Sequence, residues 1–523
     1  MSRLTLTLFV LLLIPLNAMA VEINDQGAEK LKTSFQNILD YQKNVSEAMG
    51  TVDVQFEGAL DVKQEAEYYA VTFPRILLKS PKGADPSLDN VSFDMGVITV
   101  NAIPDDKPGY WKMVLSFPNT MTFKDDETGE NFVISFNEQN NIAMFHEGLG
   151  YFTKMHLNLT DMKFSVVGKD LGVNLGKVQL YSNLDETENT GVFTGPSRVS
   201  VTDLVIAPAE EDEVVKIAEV YADVDMTDIK LPTLKEYETK FMKHANVFKQ
   251  LNDQTAQKPD QLSTDEAPVP SDDQIANMLM DLYSFDVGGF SIEYGLKGLD
   301  ITSKPEAENK NFDNLKVGSA FFGTGMNGLN KGDKGTMRIK LGYSDVAVLP
   351  TTLEDIELVP ESLNLDIKAI NIPYAALTDT MKNGITSISQ SPETAQMVGM
   401  GLMMKVPAIL SQAGTEVVIE ENGAKNKVYD VSLNGKMKTD LTSLMGFSGK
   451  FIAVFEGLDK VLQMTQGNMK HAQLNSTLEM LKSYGLAGNG PNGKPAYTFA
   501  FEATPEGQFL INGKDPNAQA PVQ

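Results

Sequence analysis

Thr202-Asp203-Leu204-Val205-Ile206 reads as an acidic residue leading an apolar-x-apolar strand, and the phrase recurs along the chain. Thr160-Asp161-Met162-Lys163-Phe164, Thr227-Asp228-Ile229-Lys230-Leu231 and Ser344-Asp345-Val346-Ala347-Val348 repeat it. Glu354-Asp355-Ile356-Glu357-Leu358 is a looser copy. Side chains two apart on a strand share a face, so the phrase predicts a strand with one buried side that begins at the acidic residue. Several copies run into proline, at Pro208, Pro232, Pro350 or Pro360, which has no N–H to give to a ladder. The spacing of the copies is irregular, so they indicate repeated strand units and not a solenoid of fixed period.

Period-two patterns extend on both sides of these phrases. Val52, Val54 and Phe56 alternate with polar partners, and Thr120–Phe123 with Phe132–Phe136 flank a polar stretch containing Gly129, a hairpin signal. Strands continue from Phe285 to about Ala369, with turns expected at Gly288-Gly289 and Asn327-Gly328. Val417–Ile419 and Val428–Met437 read as a strand pair around Asn422-Gly423, and Tyr497–Phe501 with Gln508–Ile511 as a closing hairpin. Helical spacing marks Gln26–Met49, a segment after Pro232 carrying Tyr237, Phe241 and Phe248, and a stretch of about Phe455–Tyr484 weakened near Gly467. Ser271-Asp272-Asp273-Gln274 is a capping box, and Ser391-Pro392 opens a helix to about Gln412.

The fold class is therefore α+β: strand-rich antiparallel sheets with a few amphipathic helices, in two successive parts. Asp253–Pro270 carries three prolines and no aromatic residue, so it reads as a solvated linker. The expected division is 1–20 signal peptide, 21–252 N-terminal strand-rich domain, 253–270 linker and 271–523 C-terminal α+β domain.

The signal peptide rests on Arg3, the apolar run Leu4–Leu16 and the small-x-small site Ala18-Met19-Ala20. The run is shorter than the roughly 20 apolar residues that span a bilayer, and no later segment reads as a stable membrane span. A periplasmic location follows, with an inner-membrane anchor by an uncleaved N-terminal segment as the alternative. With 44 basic and 70 acidic residues, the formal charge is −26. That argues against nucleic acid, whose binding rests on lysines and arginines neutralising phosphates, and against docking on anionic headgroups. Zero cysteines suit an oxidising compartment and leave stability to burial.

The closing segment Phe499-Ala500-Phe501, Glu506-Gly507-Gln508-Phe509-Leu510-Ile511-Asn512-Gly513, with a tail around Pro521, resembles the YdgA-like family of envelope proteins. Val417–Leu433 is similar too. The resemblance implies an N-terminal hydrophobic segment followed by a strand-rich body, with no established activity and no functional residue to transfer. The chain departs from the family pattern at Arg75-Ile76-Leu77, where an Arg-Gly-aromatic phrase is usual, and at the cleavable Ala18-Met19-Ala20. More loosely the layout resembles AsmA-type envelope proteins, which implies lipid handling through a strand-built groove.

Chemistry-bearing patterns are sparse. Gly323-Thr324-Gly325-Met326-Asn327-Gly328 spells a dinucleotide fingerprint but is followed by a strand, where the fingerprint needs a helix. His146-Glu147 opens like a zinc-protease motif, with Gly150 where the second histidine belongs. The acidic turns Asp125-Asp126-Glu127 and Asp185-Glu186-Thr187-Glu188 lack the pattern of a dedicated calcium loop. No Gly-x-Ser-x-Gly elbow and no thiol nucleophile exist. Catalytic, metal and cofactor assignments are accordingly none.

The most unusual segment is Met397-Val398-Gly399-Met400-Gly401-Leu402-Met403-Met404, continuing through Ile409 and Leu410. A helix apolar on every side is normally a buried core helix. Methionine also suits surfaces that accept varied apolar ligands, which makes Met397, Met400, Met403, Met404, Ile409 and Leu410 candidates for lining an apolar groove. The expectation is a non-enzymatic periplasmic protein binding lipid or another apolar ligand, with other envelope proteins as partners. A structural or protein-interaction scaffold with no small ligand is the alternative, and an unrecognised hydrolase is the third reading.

Overall fold

The computed structural model describes residues 23–516, apart from 50–51, 81–90, 126–128, 130, 167–168, 208–212, 257–269, 272–273, 276–277, 279–280, 282–285, 304–311, 331–333, 350–357, 391–394 and 468. Most of the described chain is antiparallel strand, with helices between strands. It forms two compact units, residues 1–211 with 225–287 and residues 212–224 with 288–523. The expected linker 253–270 lies within the span of the first unit, and its residues 257–269 lie outside the described residues, as do 1–20.

The first unit is organised by the helix Asp25–Met49. Leu31, Phe35, Ile38 and Leu39 recur at helical spacing and are buried against Tyr69, Val71, Ala102, Trp111 and Phe145. Phe35 meets Phe73 edge-on at 5.0 Å between ring centroids. Beneath the helix, Asp61–Gln64, Tyr69–Thr72, Thr99–Pro104, Tyr110–Ser116, Glu138–His146 and Tyr151–Val166 pair in that order. A second run of strands, Asp53–Glu57, Arg75–Lys79, Val91–Gly96, Thr120–Asp125 and Asn131–Ser135, reaches the far half of the same Tyr151–Val166 strand. Its core holds Val54, Ile76, Leu78, Phe93 and Met121. On its other edge Tyr151–Val166 pairs Lys169–Asn183, which pairs Val192–Ile206.

The recurring acidic phrase does something other than open strands. Asp161, Asp203 and Asp228 lie inside long strands, and all have left-handed backbone, at φ 52°, 53° and 49°. Asp345, at φ 54°, follows the strand Gly335–Ser344 directly. The expectation of a strand start is therefore corrected for these copies; the looser copy at 354–358 lies mostly outside the described residues. The physical reason is visible in the apolar phase. Leu157 and Leu159 precede Asp161 on odd numbers, whereas Met162 and Phe164 follow on even ones. In a regular strand that shift would turn the second pair outward. Here Leu159, Met162 and Phe164 pack in one cluster, so the left-handed residue returns the apolar series to the same face.

Aspartate is among the few side chains that visit this conformation readily. Its partner across the ladder is glycine: the register puts Gly176 opposite both Asp161 and Asp203. A Cβ on Gly176 would stand 2.8 Å from the Asp203 Cβ. Gly318 meets Asp345 in the same way, also at 2.8 Å.

The second unit is a longer run of the same construction. Val287–Ser303, Asn314–Asn327, Gly335–Ser344, Ser362–Ile372, Glu416–Lys425, Asp430–Thr439, Phe447–Glu456 and Pro495–Ala503 pair as successive antiparallel neighbours. The helices Tyr374–Gln390 and Ala395–Ala413 stand between Ile372 and Glu416, and Leu458–Thr465 and Ala472–Tyr484 between Glu456 and Leu486. Three expectations are corrected here, and one helix is new. Gly288-Gly289 lies within a strand, not a turn. Tyr374–Gln390 is a helix that no period singled out. The stretch 455–484 begins as the end of a strand before two separate helices.

The third correction concerns Asn422-Gly423, which sits inside Glu416–Lys425 and is not a turn. Glu421 has φ 55°, and the pairing slips by one residue there. Asn422, 2% exposed, repairs the ladder with its side chain. Its Nδ2 donates to the Asp366 carbonyl at 2.9 Å, and its Oδ1 accepts the Asp366 N–H. Asparagine offers an amide shaped like the backbone's own, so the dipeptide that favours turns also favours a bulge.

Two substitutions test these constraints. Asp203→Val should destabilise by about 1–2 kcal/mol, because a β-branched residue resists positive φ, while Asp203→Gly should change stability by about 0.5 kcal/mol or less. Equal denaturant midpoints for the two variants would show that left-handed geometry is not what the position demands. Asn422→Ala leaves both polar groups of Asp366 without these partners and should lose about 1–3 kcal/mol, read from the same unfolding curves.

Candidate functional site

The register of the second unit sorts its strand residues onto two faces. Directly paired residues share a face. Phe290, Met326, Met337, Ala369 and Val417 form one cross-strand row, and Ile292, Thr324, Ile339, Ile367 and Ile419 the next. Tyr294, Phe322, Leu341 and Leu365 form a third. Fourteen side chains on neighbouring strands, all but one hydrocarbon, thioether or aromatic, thus make a continuous apolar face. None is fully buried: Tyr294 is 55% and Phe322 48% exposed, and Ile339, Ile367 and Val417 are exposed as well. Contiguous exposed apolar surface marks an interaction site, a ligand groove or an aggregation liability.

The opposite face is charged. Lys340 pairs with Glu293, Arg338 with Asp366, Lys368 with Glu420 at 2.7 Å and Lys436 with Glu416 at 3.5 Å. Tyr221 donates to Glu293 at 2.8 Å, its ring lying over Gly295, where a Cβ would collide with it. Each exposed pair contributes roughly 0–1 kcal/mol, so the ladder fixes which side is wet more than it adds stability. Further along the sheet, Leu458, Leu462, Leu478 and Leu481 of the last helices cover Phe499, Phe455 and Ala453. The apolar side is therefore closed by helices at that end and open from Tyr294 to Val417.

The sequence held the signal for this face. Residues 337–341 and 365–369 alternate apolar and charged, with Arg338 and Lys340 set between Met337, Ile339 and Leu341. Reading each strand alone hid the fact that the apolar sets align across five strands.

The methionine segment lies in the helix Ala395–Ala413. Its packed side is Val398 and Leu402, which meet Gly384 of the neighbouring helix; a Cβ there would stand 3.4 Å and 3.2 Å from them. Met397, Met400, Met403 and Met404 face away, the last two 79% and 78% exposed, which overturns the core-helix reading. Ile409 and Leu410 are half-buried, so the six candidates do not form one surface.

Among the remaining motifs, the acidic turn 125–127 has 126–127 outside the described residues. Gly323 and Gly325 lie inside the strand Asn314–Asn327, leaving no helix terminus to hold a pyrophosphate. Glu147 is buried and accepts a hydrogen bond from Trp111 Nε1 at 2.8 Å, an anchor beneath the first helix. His146 Nδ1 accepts the Leu149 N–H at 3.2 Å, and burial holds its imidazole below the usual range against the upward pull of Glu186. Glu186 itself takes Lys107 at 2.9 Å and the Gly191 N–H at 2.7 Å, and Asp185 pairs with Lys154. His156 is held by the Asn158 and Gln179 amides. Among the described residues no three His, Cys, Asp or Glu side chains converge as a metal site. A cleft of about 720 Å³ along the first helix is lined by Ser34, Asn37, Asp40, Asn44 and Glu238, a polar set unlike the expected apolar groove.

Among the described residues no helix is long and apolar enough to cross a membrane. No protein-family model, curated protein or solved structure matches the chain.

Proposed function

We propose that this is a non-enzymatic cell-envelope protein that holds the acyl chain of a lipid-like amphiphile against the apolar face of its second unit. The observation that carries the reading is the alignment of two apolar rows across five adjacent strands and a third across four, open to solvent while the reverse face is charged. A protein whose cores were fully packed would bury these side chains, which weighs against a scaffold with no ligand. The signal-peptide anatomy of residues 1–20 supports export to the envelope. The resemblance to YdgA-like and AsmA-type proteins agrees with this reading. In it, the two-part division belongs to the binding device: a closed first unit and an open second one.

The magnitudes suit such a ligand. Five neighbouring strands at about 4.8 Å spacing span about 19 Å, a length that accommodates a long hydrocarbon chain. Removing ten methylenes from water yields about 8 kcal/mol, enough to offset much of the cost of immobilising the chain. Apolar contact alone discriminates weakly, so a range of chain lengths should bind.

Ile339→Asp puts a charge in the middle row, and Lys450→Glu on the charged face is the matched control. A fluorescent fatty acid should bind the wild type and the control alike and lose at least about tenfold in affinity for Ile339→Asp. Lipid extracted from natively purified wild type should be depleted in the same variant. Equal binding by all three proteins, or none by the wild type, would refute the proposal.

A further inference from the structure

The exposed methionines of the Ala395–Ala413 helix are not accounted for by the apolar sheet face. Met397, Met400, Met403 and Met404 occupy an arc of roughly 120° at about 100° per residue. All four face solvent. A methionine left in water forgoes the about 1.5–3 kcal/mol that burial would contribute, so hydrophobic packing does not explain the choice. A surface needing only apolar area would serve as well with leucine, which specifies one packing better. What distinguishes these four side chains is the thioether sulfur.

Their spacing suits convergence. Met400 lies three residues after Met397, three before Met403 and four before Met404, so each neighbour's Cβ is about 5–6 Å away on the helix surface. Three rotatable bonds per side chain allow the sulfurs to meet around one point. The glycines among them add a separate observation. Nothing lies within 4 Å of where a Cβ on Gly399 or Gly401 would stand. Alanine would fit both positions and strengthen the helix by about 0.8–1.0 kcal/mol at each, so packing does not require glycine there. Glycine leaves the flanks of the methionine arc bare and accessible.

The donor set selects its ligand. Thioethers are neutral, soft donors that favour Cu(I) and bind hard divalent cations poorly. Residues 395–413 contain no carboxylate and no histidine. The whole chain has no cysteine thiolate to compete for a soft cation, and its net charge of −26 concentrates cations near the surface. We propose that Met397, Met400, Met403 and Met404 form a surface site that holds one soft monovalent cation, Cu(I) or Ag(I), through three thioether sulfurs.

Methionine-to-leucine substitution separates this from any purely apolar role, since leucine keeps apolar area and helix propensity and removes only the sulfur. The full chain is titrated with Ag(I), a redox-inert probe, and observed by native mass spectrometry; Cu(I) affinity is read by competition with a chromophoric chelator. The wild type should hold one Ag(I) more than Met400→Leu/Met404→Leu, whose Cu(I) affinity should fall at least about tenfold with an unchanged circular dichroism spectrum. Met464→Leu/Met469→Leu, altering exposed methionines elsewhere in the unit, should behave as wild type. Undiminished Ag(I) and Cu(I) binding by the Met400/Met404 variant overturns the proposal, as does a wild type that binds neither. Because Ile339→Asp alters none of these four methionines, its failure to affect fatty-acid binding would leave this result standing, and the reverse holds too.

Discussion

An antiparallel ladder must keep every backbone N–H and C=O paired while its apolar side chains stay on one face, and much of this structure follows from reconciling those demands. A strand that gains or loses one residue keeps its hydrogen bonds only if its side chains change face. The chain resolves the conflict with single residues. Asp161, Asp203 and Asp345 take left-handed backbone where the apolar phase shifts, with glycine opposite to make room. Asn422 and Gln139 take the other route, placing an amide side chain where the backbone no longer reaches. Gln139 accepts from the Phe117 N–H and donates to its carbonyl, both at 2.8 Å, as Asn422 does for Asp366. Unpaired buried groups cost about 1–3 kcal/mol each, so these repairs are large relative to a domain's net stability.

How much of this could be read from sequence differs by element. Gln26–Met49 was legible because its apolar residues recur at helical spacing, and the structure places the helix at Asp25–Met49. The capping box was legible as local chemistry: the Ser271 N–H donates to Gln274 Oε1 at 2.9 Å, and Ser271 Oγ accepts the Gln274 N–H at 3.3 Å. The acidic phrase is visible in the sequence but ambiguous, since an aspartate before apolar-x-apolar describes a strand start and a mid-strand shift equally well. Asn422-Gly423 misled for a related reason, because turns and bulges both favour left-handed backbone. The apolar face was hidden differently. Alternation in Thr336–Leu341 indicates a two-faced strand, but only the register brings Ile292, Ile339, Ile367 and Ile419 side by side.

The two units use the same strand design to different ends. In the first, Leu31, Phe35, Ile38 and Leu39 lay a helix across the sheet, and Tyr69, Ala102 and Trp111 are fully buried beneath it. In the second, helices cover the region around Phe499, while the rows from Tyr294 to Val417 remain open. Both helices inserted after Ile372 pack on each other through Gly384, Val398 and Leu402, and the methionine side of the second faces solvent. Sheet sidedness is consistent throughout: Arg338, Lys340 and Lys368 keep their carboxylate partners on one face, so the apolar rows are left uncharged.

That contrast bears on how the second unit stays folded. Side chains that are half-exposed contribute only part of the roughly 25 cal/mol per Å² that full burial gives. Surface ion pairs worth about 0–1 kcal/mol each do not replace it. What remains is the core that the last helices close over Phe499 and the length of the ladder itself, with its cross-strand neighbours adding roughly 0.2–1 kcal/mol per pair. In the proposed function a ligand covering the open face would add to this, since occupancy at a hundredfold excess over Kd contributes about 2.7 kcal/mol to the folded state. The apolar rows from Tyr294 to Val417 are exposed because no helix among the described residues covers them, and in the proposed function a bound chain would cover that surface.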